Sequence, residues 1–455
     1  MLSNSSKTKQ QNLFYSPLSD MLDMNDPLIA LSNAIDWEIF ENEFSQFYSK
    51  DGSPAKPIRL MVGLLILKQL ENLSDESIVI QWKRNPYYQY FCGYNEMQLC
   101  EPCHSTQLVK FRQRIGKEGM ELIFKVSVQL HGNKAEEKEV LIDTTVQEKN
   151  ITYPTDGKLA IKMIHHLHKI GKKEQLNLRR TFVKEIKEHR INLRFFKHPK
   201  KIKKARASIK RLRTIVGILI RDISRNLSQD KLSNYENTFK LFDKVRNQQI
   251  KDSNKVLSLH ETHVYAITKG KDHKKYEYGT KASIVATKDS GVIVGVASHS
   301  KNEHDSKTLE AALISANQTR TTPIKEAICD RGYRGVKEVL GTTICIPGTP
   351  LKRDSEYQKQ KKREKFKRRA AIEPIIGHLK SDFRLARNYL KGFIGDQINL
   401  LLAATAWNLK KWINIYFFAL FNGETKLLLE SVSQIKLYYQ IFLQLIVIKL
   451  IFIHS

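Results

Sequence analysis

Apolar positions recur at helical spacing from Asp36-Trp37 to about Gly132. Pro57 opens the run Ile58-Arg-Leu-Met-Val-Gly-Leu-Leu-Ile-Leu-Lys68, too continuously apolar for a surface helix and therefore expected to be buried. Ser74 is placed as an N-cap, with Asp75 and Glu76 in the first turn where the helix dipole favours anions, and Pro86 stops the helix after Arg84. A third helix is expected after Ser105, another N-cap candidate. Leu108, Phe111 and Ile115 fall on one of its faces and Lys110, Arg112 and Arg114 on the other. Short helices joined by tight turns, the last one basic, suit a helix-turn-helix-like DNA reader.

The pattern changes at Glu139. Val140-Leu-Ile-Asp143-Thr-Thr predicts a short buried strand closed by a carboxylate, and helical spacing returns from Leu159 to about Lys251. Strand character resumes at His263-Val-Tyr-Ala-Ile, and Ser290-Gly291 turns the chain into Val292–Ser298 as a hairpin. Asp305 to Asn317 predicts a helix, and Glu326-Ala-Ile-Cys-Asp330 a second short strand closed by a carboxylate. Lys352 to Arg369 is expected as a basic loop before a helix around Glu373, whose Ile372, Ile376, Leu379 and Phe383 would face the sheet. An apolar helix follows from Ile398 to about Phe418. The run Leu437–Ile448 has 12 residues before Lys449, short of the ~20 needed to span a bilayer, so no membrane partner is expected.

Charge sharpens this picture. The 455 residues carry 76 Lys+Arg against 47 Asp+Glu, a net +29, which favours a polyanionic partner, nucleic acid before a membrane surface. Between Lys158 and Arg213 stand 20 Lys/Arg and 3 Glu, a net +17, so phosphate-backbone contact is expected of this stretch, Lys200, Lys201, Lys203 and Lys204 included. Apolar and charged contents of 41% and 27% argue against disorder and against a polytopic membrane protein. The first residues are polar where an export signal would be apolar, and five cysteines are scattered, so a reduced cytoplasmic, nucleoid-associated protein is expected. Cys100-Glu-Pro-Cys103-His104 spells the haem c attachment pattern, and with Cys92 could offer zinc four ligands. Without an export signal or a second ligand pair at finger spacing, a turn before a helix is the reading adopted.

Three carboxylates stand out by context: Asp143 and Asp330 at strand ends, and Glu373 in a helix. Neighbouring strands end side by side, so such groups can converge, and a helix packed on the sheet can add the third. Magnesium-type cations take hard oxygen ligands, few of them from protein. Two of them would activate a water or a 3′-hydroxyl for in-line attack at phosphorus. Around Glu373 the pattern Arg369-x3-Glu373-x6-Lys380 puts cations on the same side of the helix as the carboxylate. Pro374 implies that a helix begins there or kinks.

These residues resemble the DDE transposases of bacterial insertion sequences, of the IS-five group, from about Asp36 to Lys411. The N-terminal match is carried by Ile35-Asp-Trp37, Pro57–Leu65, Leu73-Ser-Asp-Glu76, Asn85–Gly93 and Phe111-Arg-Gln-Arg114. The catalytic match is carried by Leu141-Ile-Asp143-Thr-Thr, Tyr153-Pro-Thr-Asp156, Tyr276-Glu-Tyr-Gly279-x-Lys281, Asp330-Arg-Gly-Tyr-Arg-Gly335 and Ile372–Lys380. The resemblance implies an RNase H-like mixed α/β sheet flanked by helices, with a metal-binding triad at Asp143, Asp330 and Glu373. The family pattern Tyr-x2-Arg-x3-Glu-x6-Lys falls on Arg369, Glu373 and Lys380, with Phe366 at the tyrosine position.

The expected organisation is a polar arm over 1–26 and a helical DNA-binding domain over 27–132. An RNase H-like catalytic domain follows over 133–420 with a helical basic insertion at about 158–255, and an apolar tail over 421–455. The expected function is a transposase that binds terminal inverted repeats of double-stranded DNA and cuts and joins strands with two Mg2+ ions, Mn2+ substituting. It would work as a homodimer on two ends and a target, with Arg369, Lys380, Arg331, Lys110, Arg112 and Arg114 among its DNA contacts. Two alternatives are a non-catalytic protein that still binds DNA ends and a nuclease that cuts without joining.

Overall fold

The computed structural model describes residues 16–48, 54–249, 252–271, 274–346, 348 and 351–420. The apolar run of the tail and the first part of the arm lie outside the described residues. Within 16–26 the chain is anchored: Leu18 is fully buried and its N–H donates to the Asn95 carbonyl.

Among the described residues seven helices come first: α1 (Leu18–Met21), α2 (Pro27–Ala34), α3 (Trp37–Ser45), α4 (Ile58–Leu70), α5 (Asp75–Arg84), α6 (Pro86–Phe91) and α7 (Ser105–Gln129). Strand β1 (Glu139–Glu148) follows. The insertion contributes α8 (Asp156–Lys173), α9 (Val183–Asn192), α10 (Ile202–Asn226), α11 (Gln229–Ser233) and α12 (Glu236–Asn247). The chain then forms β2 (Tyr265–Lys271), β3 (Lys274–Thr287), β4 (Ile293–His299), α13 (Leu309–Thr319), β5 (Glu326–Ile328), β6 (Glu338–Val339) and β7 (Thr342–Cys345). Helices α14 (Glu356–Arg369) and α15 (Ile372–Ser381) come next, and residues 392–420 form a further helix.

Local chemistry explains the boundaries. Ser74 caps α5 by accepting the Ser77 N–H, and Asn85 caps α6, where Pro86 takes the first position. At α7 the cap is His104, one residue before the expected Ser105: its ring accepts the Thr106 N–H. The stretch 352–369 is mostly helix rather than loop. It has no apolar stripe, but Ser355 and Gln358 form a reciprocal capping box that starts α14. Pro374 sits in the first turn of α15, where its missing N–H costs no helical bond. The buried positions there are Ile372, Ile375 and Leu379, with Ile376 only partly covered.

The sheet runs β2-β3-β1-β5-β7-β6. β1, β5 and β7 are parallel, β3 is antiparallel to β1, and β4 pairs β3 beside β2. At the β1–β3 seam a side chain on Gly279 would meet the Gln147 carbonyl at 1.9 Å, so only glycine lets these strands close.

Hydrophobic burial divides the molecule in an unexpected way. In α4, 12 of 13 residues are buried. They belong to one continuous core with Phe40, Trp82 and Phe124, with Val140 and Ile284 of the sheet, and with Leu402 of the 392–420 helix. The N-terminal helices are thus built onto the sheet. The insertion has a core of its own, centred on Leu167, Leu212, Leu219 and Phe242. It leaves the sheet after β1 and returns before β2, where Lys149 is buried between Asp396 (2.5 Å) and Glu261 (3.5 Å), with His263 on the other Asp396 oxygen at 2.9 Å. Among the described residues no helix is long and apolar enough to cross a membrane.

Candidate active site

Asp143 does not close its strand: it is the fifth of the ten residues of β1 and pairs with Ile284 of β3. It lies beyond the end of the other neighbour. In the parallel β1–β5 ladder Leu141 pairs with Ile328, the last residue of β5, so Asp143 and Asp330 each stand two residues past that pair. Alternation in a strand puts Asp143 on the face of Leu141. Leu141 and Ile328 pack there against Ile372, the residue before Glu373. The apolar cluster under α15 therefore seats the sequence neighbours of all three carboxylates together.

Two buried groups report the negative potential at this edge. Burial drives the Cys329 thiol up, and the charges of Asp330 and then Asp143 add to it. The Tyr333 phenol is likewise raised by burial, then by Asp143, with Asp305 also contributing. Asp330 caps the turn Arg331–Tyr333 by accepting the Gly332 N–H at 2.7 Å. Asp143 accepts the Thr144 N–H at 2.7 Å.

Glu373 is arranged differently. Its side chain is 61% exposed and bonded to Arg369 at 2.8 Å across the α14–α15 break. Among the described residues, no three His, Cys, Asp or Glu side chains converge closely enough to hold a metal by themselves. The donor chemistry still suits a hard cation, since all three groups offer carboxylate oxygens. An exposed i,i+4 ion pair contributes only about 0.3–0.5 kcal/mol, so Arg369 holds Glu373 weakly.

A fourth carboxylate does not stand out in the sequence pattern. Asp305 begins, as expected, a helical segment: it opens the single 3-10 turn Asp305–Lys307 that leads into α13. Its Oδ1 accepts from Thr144 Oγ1 and Lys281 Nζ, each at 2.9 Å. Its Oδ2 faces Gly332, where an added side-chain carbon would lie 3.0 Å from Asp305 and 2.9 Å from Asp330. Asp305 thereby ties the segment after β4 to Thr144, on the face of β1 opposite Asp143, and lies against Gly332 of the Asp330 turn. Its sequence context offers little signal, since it stands six residues past the end of β4, whereas Asp330 stands two past β5.

The expected cations divide. Lys110, Arg114, Arg331, Lys200, Lys201, Lys203 and Lys204 are exposed, Arg114 lying over the Tyr48 ring. Lys380 is half-buried. Arg112 does not share the face of Lys110 and Arg114. It is buried and ion-paired with Asp75, which also holds Lys68 at 2.9 Å. Position 112 is four residues after Leu108 and so shares its inward face. The side chain of Phe366 lies outside the described residues. Cys92 and Cys103 are buried, which raises their thiols to about 12 and about 11, and His104 uses a ring nitrogen to cap α7.

Known proteins bear directly on this arrangement. Residues 16–114 match the family "Transposase domain (DUF772)", and residues 254–409 match "Transposase DDE domain". The chain belongs to the DDE transposases of insertion sequences. It is also similar to an uncharacterized protein, ORF8 in the nfe locus of Rhizobium meliloti, at 36% identity over 194 residues. That match covers 42% of this chain and 94% of the relative. No solved structure matches this transposase. The DDE domain carries the RNase H-like fold, and here it spans every strand except β1, which the insertion separates from the rest. Transposases of this family act on DNA, as DNA-cutting and DNA-transferring enzymes that generally use divalent metal ions.

Proposed function

We propose that this transposase binds the terminal inverted repeats of its element, cuts one strand at each end and joins the freed 3′-hydroxyl to target DNA. The observation that supports this most is the register of β1 and β5, with Asp143 and Asp330 at matched positions beyond Leu141 and Ile328 and Ile372 packed on both. Asp143, Asp330 and Glu373 would hold two Mg2+ ions, with Mn2+ able to substitute. The bound metal would supply an activated water or 3′-hydroxyl and stabilise the leaving oxygen. Backbone N–H groups of Thr144 and Gly332 hold Asp143 and Asp330 before substrate arrives, and Asp305 holds the Thr144 hydroxyl. Glu373 joins them by leaving Arg369, which then faces the phosphate together with Arg331 and Lys380. Exposed cations of the insertion and of α7 hold the duplex backbone, and two copies act on two ends.

Incubating the protein with a duplex carrying its own terminal repeat tests this reading. Nicked and then joined strands are expected with Mg2+ and none with chelator. Nicking without joining would reduce the protein to a nuclease. The outward Glu373 favours a second reading, a DNA-end-binding protein without chemistry, and binding with no nick under Mg2+ or Mn2+ would establish it.

A further inference from the structure

Within the insertion, α10 and α12 enclose an open cavity of about 320 Å³. Arg206, Lys210 and Arg213 line it at i, i+4 and i+7, one face of α10. The next place in that row belongs to Gly217. There the guanidinium of Arg246, from α12, lies over the glycine, and an added carbon would meet its Nη1 at 2.1 Å. Two helices thus complete a row of four cations about 16 Å long, given about 1.5 Å of rise per residue.

The charges in this row are incompletely matched. Arg213 bonds Asp156 at 2.8 Å and the Gln248 carbonyl at 3.0 Å, and Arg246 pairs with Asp243 at 2.9 Å. Arg206 and Lys210 are exposed, and among the described residues neither side chain has an acidic partner. Arg246 Nε is buried and makes no hydrogen bond. A buried N–H left unpaired costs about 1–3 kcal/mol, more when charged, so the Arg246 guanidinium is not fully satisfied by Asp243 alone. Two surplus positive charges and a concave floor suit phosphodiester oxygens.

We propose that the α10–α12 cleft is a phosphate-binding site for duplex DNA, in which Arg206 and Lys210 meet successive backbone phosphates and the Arg246 guanidinium adds its charge beside them. This rests on the reading that the insertion contacts the DNA backbone and locates that contact. The site reads no bases, so it strengthens binding to any sequence equally.

The test measures binding of the full chain to a repeat-carrying duplex and to an unrelated duplex as salt is raised. The double variant Arg206→Gln/Lys210→Gln should flatten the log–log slope by about 1.8 on both duplexes, at about 0.9 for each phosphate no longer neutralised. Gly217→Ala changes no charge and favours the helix, yet displaces the flexible end of Arg246, and should flatten the slope by about 0.9. Folding of each variant is checked by thermal melting. A wild-type slope in either folded variant overturns the proposal. A variant with Lys200, Lys201, Lys203 and Lys204 neutralised separates the outcomes. If it loses slope while the cleft variants do not, the cleft alone is wrong; if none of the three loses slope, the insertion does not contact the backbone.

Discussion

The sheet with its N-terminal helices and the insertion are both largely helical at their surfaces, yet they are built on different principles. The sheet and α3, α4, α5 and α7 share one hydrophobic core, and within it a few carboxylates are held by strand register and short hydrogen bonds. The insertion closes its own core and presents many exposed cations, few of them tied to a fixed partner. Chemistry at phosphorus needs groups held to a fraction of an ångström, whereas attraction to a polyanion adds over charges that can move. Single changes should therefore be decisive in the first region and incremental in the second.

The sharpest contrast should come from Asp143→Asn or Asp330→Asn. Each is expected to reduce strand cleavage to background while leaving the affinity for repeat DNA within twofold, read by nicking and by fluorescence anisotropy. Cleavage that survives either change removes that residue from the site. Next in size is Asp75→Ala, which strands Lys68 and Arg112 in the shared core with side-chain exposures of 8% and 4%. Breaking a buried pair typically costs about 3–5 kcal/mol, to be read by denaturant unfolding. Destabilisation below about 1 kcal/mol would show that the N-terminal helices are not integral to the body.

The same ion pair gives a pH signature. Burial alone would raise Asp75, but the bonds from Arg112 and Lys68 outweigh it and bring its carboxyl down to about 2. Its contribution is complete above the unfolded value near 4 and should be lost as pH falls from about 4 to 2, a step missing in Asp75→Asn. A smaller effect is expected from Gly332→Ala, whose new carbon crowds the oxygens of Asp330 and Asp305. Cleavage should fall about 10–100-fold, in the range for groups that orient metal ligands, with DNA binding unchanged. Smallest is Lys203→Gln in the insertion, which should change the salt slope by about 0.9 and leave the cleavage of bound DNA unaltered.

Much of the first region is legible in sequence. The short runs around Asp143 and Asp330, the N-cap at Ser74, the buried α4 and the Arg369–Glu373 spacing are local features, and each appears where the pattern puts it, Asp143 shifted from strand end to mid-strand. Helix α14 is hidden because charge without apolar periodicity looks like loop, although its capping box is present in Ser355 and Gln358. Arg112 goes against expectation because position overrides residue type: a cation four residues after Leu108 is carried inward, and only a distant Asp75 makes that tolerable.

By itself the chain of residues determined most of the strands and helices, α14 excepted, and where the cations concentrate, because these follow from side-chain spacing over a few residues. The tertiary structure alone decided that β5 lies beside β1 so that Asp143 and Asp330 match in register, that Asp305 meets Thr144 of β1 and lies against Gly332, and that Arg246 fills the gap over Gly217. Each of those joins residues far apart in the chain. Their meeting is set by how whole elements bury apolar surface against one another, which no local periodicity encodes.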